Sequence, residues 1–383
     1  MSLSILSRAG ARAIVVSGGY HAPVNGPDPS PRRAARPRLL LVTTGGTIAS
    51  RRDPVTGAVA AAASGEELLA EIPDVAGWAD IEVVPVAAVN GWNVTPEVMV
   101  AVARAIGDGM ARGAAGAVVT HGTDTVEETA TLLDLVLAGP APVAFAVALR
   151  PLDEPGTDGP GNLRDAVRVA LDPGARGQGP LVVEAGAIHA ARWVTKGHTT
   201  RPGAFVSPGH GPVGTVGAGA VTFARAAPAR PPFPGGVTVA RSGGATETAA
   251  IGLERDVPLL KPGAGEDDRL IRWAIQSGCR GMVIEGSGAG NVPGTMVPAI
   301  EEAIGRGIAV VLVTRVPEGR LAMAYGGGGA RGGGHDLAAI GVIPAHGLTG
   351  PKARIVTMVA LGRSGDVGTV RETFARYTGS PAP

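Results

Sequence analysis

The feature that most constrains this chain is a repeated alternation. A short run of aliphatic and β-branched residues ends in a turn rich in glycine and hydroxyls, and a segment with helical spacing follows. RLLLVTTGG (38–46) is the first such run. DIEVVPVAAV (80–89), GAVVT (116–120), APVAFAVAL (141–149) and GPLVVEAGAI (179–188) read as further strands. PEVMVAVARAIGDGM (96–110) has apolar residues at helical spacing, and Pro96 suits a first helical turn. Continuous apolar strands separated by helices predict an α/β fold with a mainly parallel sheet covered by helices on both faces.

Residues 223–236 (FARAAPARPPFPGG) carry four prolines and break the pattern. Beyond them it resumes. Helices are expected at 267–278 and 295–307, strands at 279–286 and 308–315, and a closing helix at 352–363. GGGGARGGG (326–334) is expected to be an irregular loop. With 383 residues, about two domains are expected. The expected division is a disordered extension at 1–37, a larger N-terminal domain at 38–222, a linker at 223–238 and a smaller α/β domain at 239–383.

Composition narrows the function. The net charge is +1 with no long basic stretch, which argues against a nucleic-acid surface. A single cysteine, Cys279, rules out an intrachain disulfide and argues against a thiolate metal site. The most apolar stretch, 130–149, is interrupted by Asp134 and Gly139-Pro140, so no membrane span is expected. The N-terminus has one arginine before a short apolar patch and no clear small-residue cleavage site, so the expected compartment is the cytoplasm, with secretion as the alternative.

Two turns carry unexplained polar groups. In THGTDTVEETA (120–130), Thr125 and Glu128 fit a capping box. Val126, Ala130, Leu133 and Leu137 form one apolar helix face. Helix formation leaves His121, Thr123 and Asp124 unaccounted for, at the carboxyl end of a strand, where open α/β sheets bind ligands. In TTGGTIAS (43–50), Thr47 follows two glycines that permit close backbone approach. Neither this turn nor GSGAGN (286–291) matches a nucleotide-binding fingerprint. His335-Asp336 is too small a pair to imply a metal.

Together the turns resemble the signatures of the bacterial-type L-asparaginase family. Three further blocks follow in order: LRPLDEPGTDGPGNLRDAV (149–167), WVTKGHTT (193–200) and GPKAR (350–354). The resemblance implies an amidohydrolase that converts L-asparagine to L-aspartate and ammonia through a threonine acyl-enzyme. It implies no metal or cofactor, and a homodimer or homotetramer whose sites are completed by the neighbouring chain. Thr47 is the implied nucleophile, with Thr123, Asp124 and Lys196 as the relay set. Gly91, Trp92, Gly122, Thr123 and Asp124 are the implied substrate-binding positions, with the Thr123 N–H as oxyanion donor. His121 and His198 are expected to be structural.

Two positions depart from that family. Its members often carry a tyrosine in the loop after the first threonine, whereas Ser50–Ser64 has none and Thr56 is the only hydroxyl strictly inside it. Gly91 stands where a serine usually binds the substrate carboxylate. A hydrogen bond to a charged group contributes about 1.5–3 kcal/mol, so its loss would weaken binding roughly tenfold to a hundredfold. Asn90, Asn93 or a backbone N–H is open as a replacement, and so is a different substrate. A non-catalytic amino-acid-binding protein, an amidase for glutamine or an asparagine derivative, and an amidase component serving aminoacyl-tRNA remain alternatives.

Overall fold

The computed structural model describes residues 35–229, 251–327 and 331–379. Residues 1–34 of the expected N-terminal extension, most of the expected linker and the centre of the glycine-rich loop lie outside the described residues. So does the question of a leader segment.

The N-terminal domain begins with β1 (Arg38–Gly45), a hairpin of β2 (Ser50–Arg52) and β3 (Val59–Ala61), and α1 (Gly65–Ala70). Next come β4 (Asp80–Val89), α2 (Pro96–Ala111), β5 (Gly116–Thr120) and α3 (Val126–Val136). Then follow β6 (Val143–Ala146), α4 (Gly159–Leu171), β7 (Pro180–Glu184), β8 (Ala187–Ala190) and a short pair, β9 (Thr195–Lys196) with β10 (Phe205–Val206). The domain ends in β11 (Gly214–Gly217) and β12 (Ala220–Phe223).

Eight strands form one sheet in the order β12-β11-β8-β7-β6-β5-β1-β4. The five from β4 to β7 are parallel, and β8, β11 and β12 add antiparallel strands at one side. Period-2 alternation divides β1 between two cores. Leu40 and Val42 pack with residues of α2 and α3, while Leu39 and Leu41 pack with residues of α4. The expected mainly parallel, two-faced α/β fold is therefore observed. Chain order reverses across β1, so its junction with β5 is the point where an open α/β sheet offers a ligand crevice.

The C-terminal domain is a four-stranded parallel sheet of β13 (Leu259–Leu260), β14 (Gly281–Gly286), β15 (Ala309–Thr314) and β16 (Ile343–Pro344). Helices α5 (Arg269–Gln276), α6 (Val297–Gly305) and α7 (Gly334–Ala339) are followed by α8 (Gly350–Ser364) and α9 (Val367–Thr378). Helix α8 contacts both α3 and β14, and residues of both domains share one core. Its residues from Ile355 to Leu361 are buried without interruption, as expected of a helix wedged between two layers.

Four expectations need correction. The stretch 179–188 is two antiparallel strands, because Ala185 and Gly186 both take positive φ (49° and 74°) and form a tight two-residue turn. The strand expected over 141–149 spans only Val143–Ala146. Helix α8 does not close the chain, since α9 follows it after the left-handed Gly365. Phe223 is the last residue of β12, not part of a linker.

Candidate active site

Three glycines at the ends of three adjacent strands build the centre of the site. Gly46 follows β1, Gly122 lies just beyond β5, and Gly91 lies just beyond β4. A Cβ on Gly46 would fall 2.3 Å from the backbone nitrogen of Gly122, and one on Gly122 would fall 2.4 Å from the Cα of Gly91. Both are closer than real Cβ contacts come. The three backbones therefore meet only because Gly46 and Gly122 carry no side chain. Gly46 also needs glycine for its φ of 80°, and its N–H donates to the Val89 carbonyl at 2.9 Å. Each glycine precedes a residue singled out above: Thr47, Thr123 and Trp92.

On the Thr47 side, a short 3-10 turn spans Thr47–Ala49, and Ser50 Oγ donates to the Gly46 carbonyl at 2.8 Å. Thr47 is half-buried and caps no helix. The hairpin after it is anchored elsewhere: Leu152 N–H donates to the Ser50 carbonyl and Arg52 N–H to the Asp153 carboxylate, both at 2.8 Å. Thr56 sits at the hairpin tip, and its hydroxyl donates to Asp53 Oδ1 at 3.0 Å. That hydroxyl is committed to the turn, so it does not stand in for the missing tyrosine.

On the opposite side, Lys196 Nζ donates to Thr123 Oγ1 and to Asp124 Oδ1, each at 2.8 Å. Thr123 is buried, Asp124 is exposed and Lys196 is intermediate. Glu184 supports this lysine from β7. Its carboxylate accepts from the N–H groups of Gly203 and Phe205, and Phe205 pairs with Lys196 across β9 and β10. Burial pushes the Glu184 carboxyl above its ordinary range. A cleft of about 670 Å³ between the domains reaches Lys196 and is also lined by Trp193, His210, Lys261, Glu285 and Arg315.

The expected capping box at the start of α3 is not formed. Thr125 gives the helix no side-chain cap. Its hydroxyl donates instead to the Gly91 carbonyl at 2.7 Å, tying the third glycine to the second turn. Glu128, freed from capping, is half-buried, and loss of solvation with Glu127 nearby raises its pKa to about 7. His121 is fully buried behind the turn. Its Nδ1 lies 2.8 Å from the Gly122 carbonyl, which can only accept, so Nδ1 carries the proton. Nε2 then accepts from the Thr129 hydroxyl at 2.8 Å. Burial lowers this histidine to about 4, keeping it neutral near pH 7.

The geometry thus joins Thr123, Asp124 and Lys196 by hydrogen bonds, and brings Gly46, Gly91 and Gly122 into backbone contact. Trp92 stands apart, 67% exposed. No group of three or more His, Cys, Asp or Glu side chains suited to a metal occurs among the described residues. Asp336, paired with His335 in the sequence, accepts from the N–H groups of Gly327 and Gly332.

Comparison with known proteins decides the family. The profile described as "Asparaginase, N-terminal" matches residues 38–229, and "Glutaminase/Asparaginase C-terminal domain" matches 256–374. The chain belongs to the asparaginase family. The "Probable L-asparaginase" of Deinococcus radiodurans is 37% identical over 90% of this chain and 98% of its own length. A component of the glutamyl-tRNA(Gln) amidotransferase of Halobacterium salinarum is 35% identical over 86% of this chain and 76% of its own. A crystal structure of the "Probable Cytoplasmic L-asparaginase" of Campylobacter jejuni superposes with a TM-score of 0.76 at 28% identity, covering 88% of this chain and 99% of that one. This asparaginase-family hydrolase has, among its described residues, no helix long and apolar enough to cross a membrane.

Proposed function

We propose that this chain hydrolyses the side-chain amide of L-asparagine to L-aspartate and ammonia, with Thr47 as nucleophile. The observation that carries the reading is the hydrogen-bonded set Lys196–Thr123–Asp124, held beside Thr47 by the Gly46–Gly122 contact. An amide is a poor electrophile, so the reaction needs an activated hydroxyl and donors for the developing oxyanion.

Thr47 Oγ1 attacks the amide carbon as its proton passes to Thr123 Oγ1, whose own proton passes to the lone pair of Lys196 acting as the free amine. The Thr123 N–H stabilises the oxyanion. The relay returns the proton to the departing nitrogen, ammonia leaves, and a water molecule hydrolyses the Thr47 ester by the same steps in reverse order. Asp124, exposed beside Lys196, is suited to hold the ammonium group of an amino-acid substrate. The substrate therefore orders itself between the two turns. We place the enzyme in the cytoplasm, as the name of its Campylobacter jejuni neighbour places that protein, and expect a homo-oligomer.

Ammonia release by purified protein from L-asparagine, L-glutamine and related amides tests this. Asparagine is expected to be the preferred substrate. Loss of the nucleophile in such sites costs on the order of 10⁶ in rate, so Thr47→Ala should fall to background. Equal rates in wild type and variant would remove the reading. The similarity to an amidotransferase component favours a second reading, a glutaminase that passes ammonia on. A marked preference for glutamine would favour it.

A further inference from the structure

The interior of the molecule holds one lysine that the proposed chemistry does not use. Lys352 lies in the first turn of α8 and is 1% exposed. Its ammonium donates to the carbonyls of Ala191 at 2.9 Å, Arg192 at 3.2 Å and Val194. An ammonium has three donors, and here backbone carbonyls take all three. Those carbonyls belong to the turn that leads directly into β9, where Lys196 stands two residues beyond Val194.

The same turn is held a second time. Arg192 lies 3.6 Å from the Asp134 carboxylate and 4.0 Å above the Tyr377 ring, and Tyr377 OH donates to Asp134 at 2.8 Å. Asp134 belongs to α3, whose N-terminus follows Thr123 and Asp124. The first hold, through α8, and the Tyr377 part of the second, through α9, reach the turn from the C-terminal domain, while Asp134 reaches it from α3.

We propose that Lys352 is a positioning residue for Lys196. Its ammonium fixes the 191–194 turn in the form that delivers Lys196 to Thr123 and Asp124, so that seating the C-terminal domain completes the site. This rests on the amidohydrolase reading only for its effect on rate; the effect on the turn stands apart from it.

The hold is pH-dependent. Around the ammonium lie Glu127 and Asp134 from α3, which favour its charge, and Arg192, which opposes it. His189 of β8 also feels its charge, and burial keeps that histidine neutral near pH 7. Desolvation outweighs the two carboxylates and lowers Lys352 to about 8. Above that pH the amine has two protons for three carbonyls, and the turn loosens.

Full-length wild type, Lys352→Arg and Lys352→Met are compared by amide hydrogen exchange in peptides spanning 191–197 and, as control, 116–120. At pH 7 the Met variant should exchange about tenfold faster in the first peptide and unchanged in the second, with Arg near wild type. Equal protection of 191–197 in all three overturns the proposal. Should the Met variant lose protection everywhere, wild type and Lys352→Arg decide between pH 7 and 9.5. After correction for intrinsic rates, protection of 191–197 should fall in wild type and persist in the arginine variant, which keeps its charge. Parallel behaviour overturns the proposal.

Where ammonia release is measurable, Lys352→Met should lower kcat on the order of 10²-fold, as a misplacement of about 1 Å does, with KM within about threefold. A wild type that releases no ammonia defeats the amidohydrolase reading and leaves the exchange result standing. An active enzyme with unaltered exchange removes only the role of Lys352.

Discussion

The two turns that face each other across the site are held by opposite means. The Thr47 turn is fixed by backbone against backbone, through glycines that leave no room for a Cβ. The Lys196 side is fixed by long charged side chains, with Glu184 bonded to the β10 strand and Lys352 to the preceding turn. Glycine contacts have no titratable part, so the first half should be indifferent to pH and intolerant of any added atom. The second half should tolerate conservative changes and respond to pH.

Breaking the glycine half should cost activity and stability together, the largest combined effect. In Gly122→Ala the new Cβ meets backbone, which cannot swing away as a side chain would. Overpacking of this kind costs about 1–3 kcal/mol, and the shift it forces should lower kcat by on the order of 10²-fold or more. Thermal melting and ammonia release check both numbers, at any pH between about 6 and 9. A variant with wild-type kcat would show that the close contact is not what sets Thr47 and Thr123.

Removing the lysine should separate activity from stability. Lys196→Met takes away the group bonded to Thr123 and should cost about 10²–10⁴ in kcat, as loss of a proton-transfer group does. The pair it forms with exposed Asp124 contributes little to folding, so stability should shift by less than about 1 kcal/mol. Denaturant titration beside steady-state kinetics reads the two.

Glu128 sharpens the pH contrast. Its carboxyl is raised from 4.5 to about 7, so the native state keeps a proton that the unfolded chain has released. The stability this contributes is complete below about pH 4.5 and is lost as pH rises through 7. Glu128→Gln mimics the protonated form. At pH 8 it should raise stability by about 1–2 kcal/mol, with a smaller difference at pH 5, as read by urea denaturation.

The smallest effect is expected at Gly91. A Cβ there would lie 3.2 Å from the Asp124 nitrogen and 3.2 Å from the Gly122 Cα, tight but within a few tenths of an ångström of ordinary contact. Gly91→Ser should cost about 1 kcal/mol and raise KM less than tenfold. A fall in KM would show that the serine hydroxyl gains the substrate carboxylate without disturbing Asp124.

The contrast also explains what the sequence reveals. Strand β5 is bounded as its apolar run suggests, because continuous burial on both faces leaves a clear local pattern, and β4, a partly exposed strand at the end of the sheet, keeps its expected bounds as well. Glycine turns after strands are equally local, and Thr47, Thr123 and Asp124 can be picked out from them. The hold on Lys196 is not local. Lys352 and the Ala191 carbonyl are 161 residues apart, and a lysine after Gly350-Pro351 gives no sign that it will be buried. Thr125 misleads for the same reason: a local capping rule competes with the Gly91 carbonyl, 34 residues earlier, and loses. The β7–β8 turn is hidden because Ala185 occupies a positive-φ position where glycine or asparagine is the usual signal.

The most direct test of the central claim is to locate the acyl group. Wild-type enzyme is mixed with L-asparagine, quenched in acid during turnover and digested, and the peptides carrying Thr47 and Thr123 are weighed. An aspartyl ester on Thr47, absent in Thr47→Ala and formed far more slowly in Lys196→Met, is the predicted result. An ester on Thr123, or ammonia release that persists in Thr47→Ala, would contradict a site in which a glycine-set nucleophile is served by a lysine held from the second domain.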